Sequence, residues 1–159
     1  MAFFKKRFKE VDYGYDDFKK SIMQKGASAV KVGIVGESGS YDPEQGQEAL
    51  TVAQVASFME FGTATAPERP FMRLAILNNS EEIAKLAKVL TAKVLTGEMS
   101  REKAMGVLGE FVKSKMVQSI DSNIPPPNEP STIRAKGGKN KPLINTGQLR
   151  SSIDWELDE

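Results

Sequence analysis

The sequence predicts an α+β domain: a small, mostly antiparallel sheet packed against a long helical hairpin, with a long extended loop before a C-terminal strand. Three observations carry that prediction. AVKVGIVG at 29–36 places Val30, Val32 and Ile34 at every second position, the period of a half-buried strand. SSIDWEL at 151–157 does the same, with Ile153, Trp155 and Leu157 set between Asp154 and Glu156. Between them, residues 79–121 carry apolar residues at helical spacing in two runs broken near Gly97. A chain of 159 residues is of the size to bury one core, so 1–159 is expected to be a single domain.

The elements follow in order. Residues 1–12 mix Phe3, Phe4 and Phe8 with Lys5, Lys6, Arg7 and Lys9 and are expected to be a flexible basic arm. Asp16 and Asp17 open a short helix with Phe18 and Ile22 on its apolar side and Gly26 as its stop. After the first strand, GESGSYDPEQG at 36–46 is turn-rich and acidic and reads as a hairpin tip or exposed loop. Thr51 and Gln54 have the spacing of a capping box for a helix over about 51–61, whose inner residues are Val52, Val55, Ala56 and Met59.

In EFGTATAPERPFMRLAI, Pro70 forces an extended approach at Arg69, and Phe71, Leu74, Ala75 and Leu77 anchor the helix that follows. The stretch from EFGT to RPF is therefore expected to be a rigid corner. Asn79 with Glu82 starts the next helix, which turns Ile83, Leu86, Ala87, Leu90 and Val94 inward. Ser100 caps its partner, with Ala104, Val107, Leu108, Phe111 and Val112 on the apolar side. Residues 121–143 hold too many prolines and glycines for regular structure and are expected to form an extended interaction loop. Within it, Arg134, Lys136, Lys139 and Lys141 gather positive charge with no acid between Glu129 and Asp154.

Composition narrows the chemistry. With 22 basic and 21 acidic residues the formal charge is +1, so attraction to nucleic acid must be local. There is no histidine and no cysteine, which removes disulfides, thiolate chemistry and the commonest general base. No apolar run reaches the ~20 residues that span a bilayer, and MAFFKKRFKE has charges where a signal peptide needs its apolar centre. The expectation is a protein made in the cytoplasm, with no membrane partner, no cofactor and no metal.

No enzyme motif survives inspection. The S-x-x-K matches at Ser28 and Ser100 fall in a strand and at a helix cap, and GIVG at 33–36 belongs to a strand. Glu60 and Glu68 flank a turn at no defined separation, which leaves a small hydrolase as an alternative without a site.

Three segments taken in order carry a resemblance: MEFGTATAPERPFMRLAI at 59–76, PPPNEPSTIRAKGG at 125–138 and KPLINTGQLRSSIDW at 141–155. Together they resemble the tail-completion or head-to-tail joining (neck, virion morphogenesis) proteins of long-tailed bacteriophages. The positions that match are Glu60, Phe61, Gly62, Arg69, Pro70 and Phe71, then Leu143, Thr146, Gly147, Leu149, Ser152 and Ile153.

The resemblance implies a non-enzymatic virion subunit that assembles as a homo-oligomeric ring, six-fold in such proteins. It would complete the tail or join it to the head, in contact with tail terminator, tail tube or head connector proteins. Its place would be the virion neck or tail end, reached through the host cytoplasm. Glu60, Gly62, Arg69, Pro70, Phe71, Thr146, Gly147 and Trp155 are expected to serve structure. Arg134, Lys136, Lys139 and Lys141 are expected to meet a partner or, non-specifically, DNA in the lumen. A nucleic-acid-binding module built on that basic loop is the alternative function.

Overall fold

The structure is a computed structural model that describes residues 16, 19, 20, 23, 29–36, 39–41, 48–138, 140–144 and 146–158. The 1–12 arm lies outside the described residues, as does most of the helix expected after Asp16, of which Asp16, Lys19, Lys20 and Met23 are helical. The fold is α+β. Its order is β1 (Ala29–Ile34), α1 (Val52–Phe61), α2 (Phe71–Asn78), α3 (Ser80–Leu95), α4 (Arg101–Asp121), α5 (Pro130–Ala135), α6 (Gln148–Ser151) and β2 (Ile153–Asp158).

β1 and β2 pair antiparallel, with Val30 opposite Leu157, Val32 opposite Trp155 and Ile34 opposite Ile153. Because side chains alternate between faces, this register gathers all six apolar residues on one side. The other side is wet, and there Lys31 Nζ lies 2.7 Å from Asp158 Oδ1 and 3.9 Å from Glu156 Oε1. The patterned ending of the chain therefore closes the sheet. Further along, Tyr41 N donates to Leu50 O at 2.8 Å and Val52 N to Gly39 O at 3.1 Å, so the described ends of the acidic stretch run side by side, as a hairpin would.

The sheet rests on α4, and α3 packs against α4 as the second arm of the hairpin. Close approach of sheet and helix depends on two glycines. A β-carbon at Gly109 would stand 2.8 Å from Val30 Cγ2 and 2.9 Å from the Trp155 ring, and one at Gly106 would stand 3.1 Å from Trp155. The indole lies across this flat strip, half-buried, and its Nε1 donates to Glu110 Oε2 at 2.9 Å. Ser100 caps α4 by accepting from Lys103 N, and Thr51 and Gln54 form the full capping box of α1. Asn79 behaves differently from expectation: its Nδ2 donates back to Ala75 O at 2.8 Å, closing α2 instead of capping α3.

The core joins Val52 and Ala56 of α1, Phe71 and Ala75 of α2, Val112, Met116 and Ile120 of α4, and Ile124, Leu143, Leu149 and Ile153. Two residues expected to face inward are exposed instead: Leu77 at 69% and Val107 at 40%. Phe71 and Ala75, one turn apart, set the buried stripe of α2, and Leu77, six residues past Phe71, falls on the far side at 3.6 residues per turn. The loop differs too. Residues 130–135 form a short helix, because Pro130 sits at the first helical position, where its missing N–H would have no partner anyway.

Candidate interaction site

The corner from Glu60 to Phe71 is built around one buried carboxylate. Pro70 stands at the N-cap of α2 and has no side chain to accept the helix's first amides. Glu60, 4% exposed on α1, supplies the acceptor instead. Its Oε2 accepts from Met72 N at 2.9 Å, and its Oε1 from Arg73 N and Arg73 Nε at 3.0 Å each. Arg73 is clamped further by Glu68 Oε2 at 3.0 Å, and its guanidinium lies 5.2 Å over the Phe61 ring.

Gly62 lets the chain turn between them at φ 73°, where a β-carbon would come within 2.9 Å of Glu68 N and 3.1 Å of Ala66 O. Arg69 N donates to Met59 O at 2.6 Å, which draws the far side of the turn back onto α1. The expected corner is thus formed and tied by these hydrogen bonds. The carboxylates Glu60 and Glu68, which flank this turn, both face Arg73.

Arg69 joins this corner to the proline loop. It is 7% exposed, and its Nε donates to Pro126 O at 3.0 Å and its Nη2 to Pro127 O at 3.3 Å. Burial holds its guanidinium below the usual arginine range. At the other end of the loop, Thr146 Oγ1 accepts from Gln148 N at 3.2 Å, and Gly147, at φ 87°, precedes the turn of α6. Leu149 is buried beneath that turn as expected, while Gln148 Nε2 reaches Ser40 O at 3.0 Å. Arg150 forms a two-pronged pair with Asp121 at the end of α4, Nε to Oδ1 and Nη2 to Oδ2 at 3.1 Å each. Residues from the first and third segments that carry the resemblance therefore meet in one core, through Phe71, Leu143, Leu149 and Ile153, while the second is tied to the first by the Arg69 bonds to Pro126 and Pro127.

The described basic residues of the loop differ in exposure. Arg134 and Lys141 are exposed, and Lys139 lies outside the described residues. Lys136 is half-buried, and its Nζ donates to Pro142 O at 2.8 Å and Lys141 O at 3.2 Å. It fastens the loop upon itself. Nothing in the residue pattern singles out Arg73, Gly109 or Asn128. Arg73 stands within the PERPFMR run, but only the fold shows what it clamps.

One open surface among the described residues is apolar. A groove of about 760 Å³ runs between β1, α2 and α4, lined among others by Val30, Val32, Met72, Ile76, Leu77 and Leu108. Ile76 and Phe58 are more than two-fifths exposed, and Phe61 and Leu77 about two-thirds. The sheet has two strands among the described residues, so β1 and β2 each leave one backbone edge without a neighbour there. A smaller recess of about 290 Å³ lies between α3 and α4 beside Leu90, Val94 and Met105. Among the described residues no group of three acidic, histidine or cysteine side chains is placed to hold a metal, and no helix is long and apolar enough to cross a membrane. Compared with protein-family models, with curated proteins and with solved structures, the chain has no match.

Proposed function

We propose that this chain is a structural subunit of the neck or tail end of a long-tailed phage, assembling as a ring that completes the tail or joins it to the head. The observation that carries the reading is the exposed apolar surface of α1 and α2, with Ile76 and Leu77 lining a groove bounded by β1 and Phe61 exposed at the end of α1. Contiguous exposed apolar surface marks an interaction site, and an open strand edge beside it is suited to pairing. Subunits that meet through two different faces close into a ring when the rotation allows. The resemblance over 59–155 supplies the setting, and the interlocked corner and loop supply a rigid body able to hold such faces in register.

The nucleic-acid alternative has less support, because Lys136 turns inward and leaves Arg134 and Lys141 as the exposed cations of the described loop. Electron microscopy of the purified chain, alone and after mixing with tail tubes or capsids, tests the proposal. Rings, or density added at the tail end or capsid vertex, support it. Turnover on a substrate panel, or DNA binding that falls steeply with salt in the absence of either, contradicts it.

A further inference from the structure

We propose that the 4–9 segment of this same chain, FKKRFK, docks on the open edge of β2 as a third strand running parallel to it. The edge itself sets the problem. Among the described residues β2 pairs with β1 alone, so its outer row of backbone groups has no strand beside it there. The Trp155 N–H belongs to that row, for it donates to Asp154 Oδ1 at 2.9 Å. Backbone groups alternate in direction along an antiparallel pair, so those of Ile153 and Leu157 face the same way. A side chain of the strand itself thus stands in for a neighbour.

The side chains along the edge say what fits it. On the wet face β2 carries Asp154, Glu156 and Asp158, each with about half of its side chain exposed. On the other face the Trp155 indole donates to the Glu110 carboxylate. In the ion pairs of the described residues two lysines serve these four carboxylates, Lys31 for Glu156 and Asp158, and Lys113 for Asp154 and Glu110. The edge is therefore acidic on both faces, with Ile153 and half-buried Leu157 on the apolar one.

The arm has the reciprocal pattern. Lys5, Arg7 and Lys9 recur at every second position, with Phe4, Lys6 and Phe8 between them. Laid beside β2, such a strand sets Lys5 by Asp154, Arg7 by Glu156 and Lys9 by Asp158 on the wet face. On the other it sets Phe4 by Ile153, Lys6 by Trp155 and Glu110, and Phe8 by Leu157. The edge of β1 offers no such match, because its wet face carries Ala29, Lys31 and Gly33. Direction follows from the connection. β1 begins at Ala29, opposite Asp158. A parallel arm brings Lys9 to that same end, and residues 10–28 then span two strand spacings, about 10 Å. An antiparallel arm would finish at the far end of the sheet and need a crossover. Docking closes the edge of β2 and leaves that of β1, beside the apolar groove, open to a partner. It holds for a single chain and does not rest on the ring reading.

Amide hydrogen exchange on the full, nitrogen-15-labelled chain at low salt tests the proposal. The Trp155 and Leu157 amides are expected to exchange about tenfold or more slowly in the wild type than in Lys5→Glu/Arg7→Glu/Lys9→Glu, while the Ile120 amide in the core exchanges alike in both. Arg7→Glu and Glu156→Lys should each speed exchange at the edge, and the two together should slow it again. The chain has no cysteine, so a cross-link reads the direction: Lys5→Cys should form a disulfide with Asp154→Cys and not with Asp158→Cys, within one chain. Equal edge exchange in wild type and triple variant, or a double swap no slower than either single change, would overturn the proposal. So would protection that rises with protein concentration, the mark of a second copy's arm, or a disulfide at position 158 in place of 154.

Discussion

Glu60 is the residue on which the corner turns. A carboxylate at 4% exposure that accepts from two helix amides and one guanidinium replaces the cap that Pro70 lacks. Glu60→Gln keeps the shape but removes one acceptor and the charge. Since hydrogen bonds to a charged group contribute about 1.5–3 kcal/mol, urea unfolding should show a loss in that range. A midpoint equal to wild type would mean that α2 is held by its apolar stripe alone. Gly109 makes a second residue-scale case. Gly109→Ala would force a methyl against Val30 and Trp155, and a cost of about 1–3 kcal/mol is expected from overpacking, read from the same unfolding curve. In the sequence Glu60, Gly62, Arg69, Pro70 and Phe71 stood out because they crowd into one short run. Gly109 did not, because a glycine inside a helix looks like a weak point until the sheet above it is known.

At the scale of elements, the strands and the helical hairpin were legible because each carries its own period. What the sequence did not disclose is which arm of the hairpin receives the sheet, since α3 and α4 are both amphipathic and only the glycines of α4 allow the close approach. The short helix α5 was hidden by its prolines, one of which starts it. Trp155→Ala should detach β2 from α4 and destabilise the fold by about 3 kcal/mol, the lower end for large aromatics, because the indole is only half-buried. Wild-type melting in that variant would make the terminal strand an appendage.

Salt links join the same elements: Lys115 Nζ reaches Glu82 Oε2 across the hairpin at 2.7 Å, and Lys113 Nζ reaches Asp154 Oδ1 from α4 to β2 at 3.1 Å. Lys115 holds the Glu82 carboxyl below its ordinary value, and the Trp155 backbone N–H, then Lys113, do the same for Asp154. Folded-state values lower than unfolded ones mean that the unfolded chain takes up protons first. The stabilisation is thus complete above the unfolded carboxylate range, near pH 4–4.5, and is lost as pH falls through the folded values. Thermal melts should show the melting temperature dropping below about pH 4, and less so in high salt, since the pairs are exposed. A melting temperature flat from neutral pH to pH 3 would dissociate these links from stability.

At the scale of the whole molecule, the buried half of each motif explains folding, and the exposed apolar face is what the proposed assembly would use. The core draws Phe71, Leu143, Leu149 and Ile153 together from segments that the sequence alone could only set in order. The groove beside β1 was not legible, because it arises where three elements fail to cover Ile76 and Leu77. Leu77 is the best place to separate folding from assembly, being 69% exposed and outside the core. A charge there should change stability by no more than about 0.5 kcal/mol, the usual range for surface substitutions. The most direct test is therefore the mass of the particle in solution, measured across a range of concentration for the wild-type chain and for Leu77→Asp. The account predicts a closed oligomer of defined mass for the wild type and monomers for the variant, at equal melting temperature. A wild-type chain that stays monomeric throughout, or a variant that assembles as well as the wild type, would contradict it.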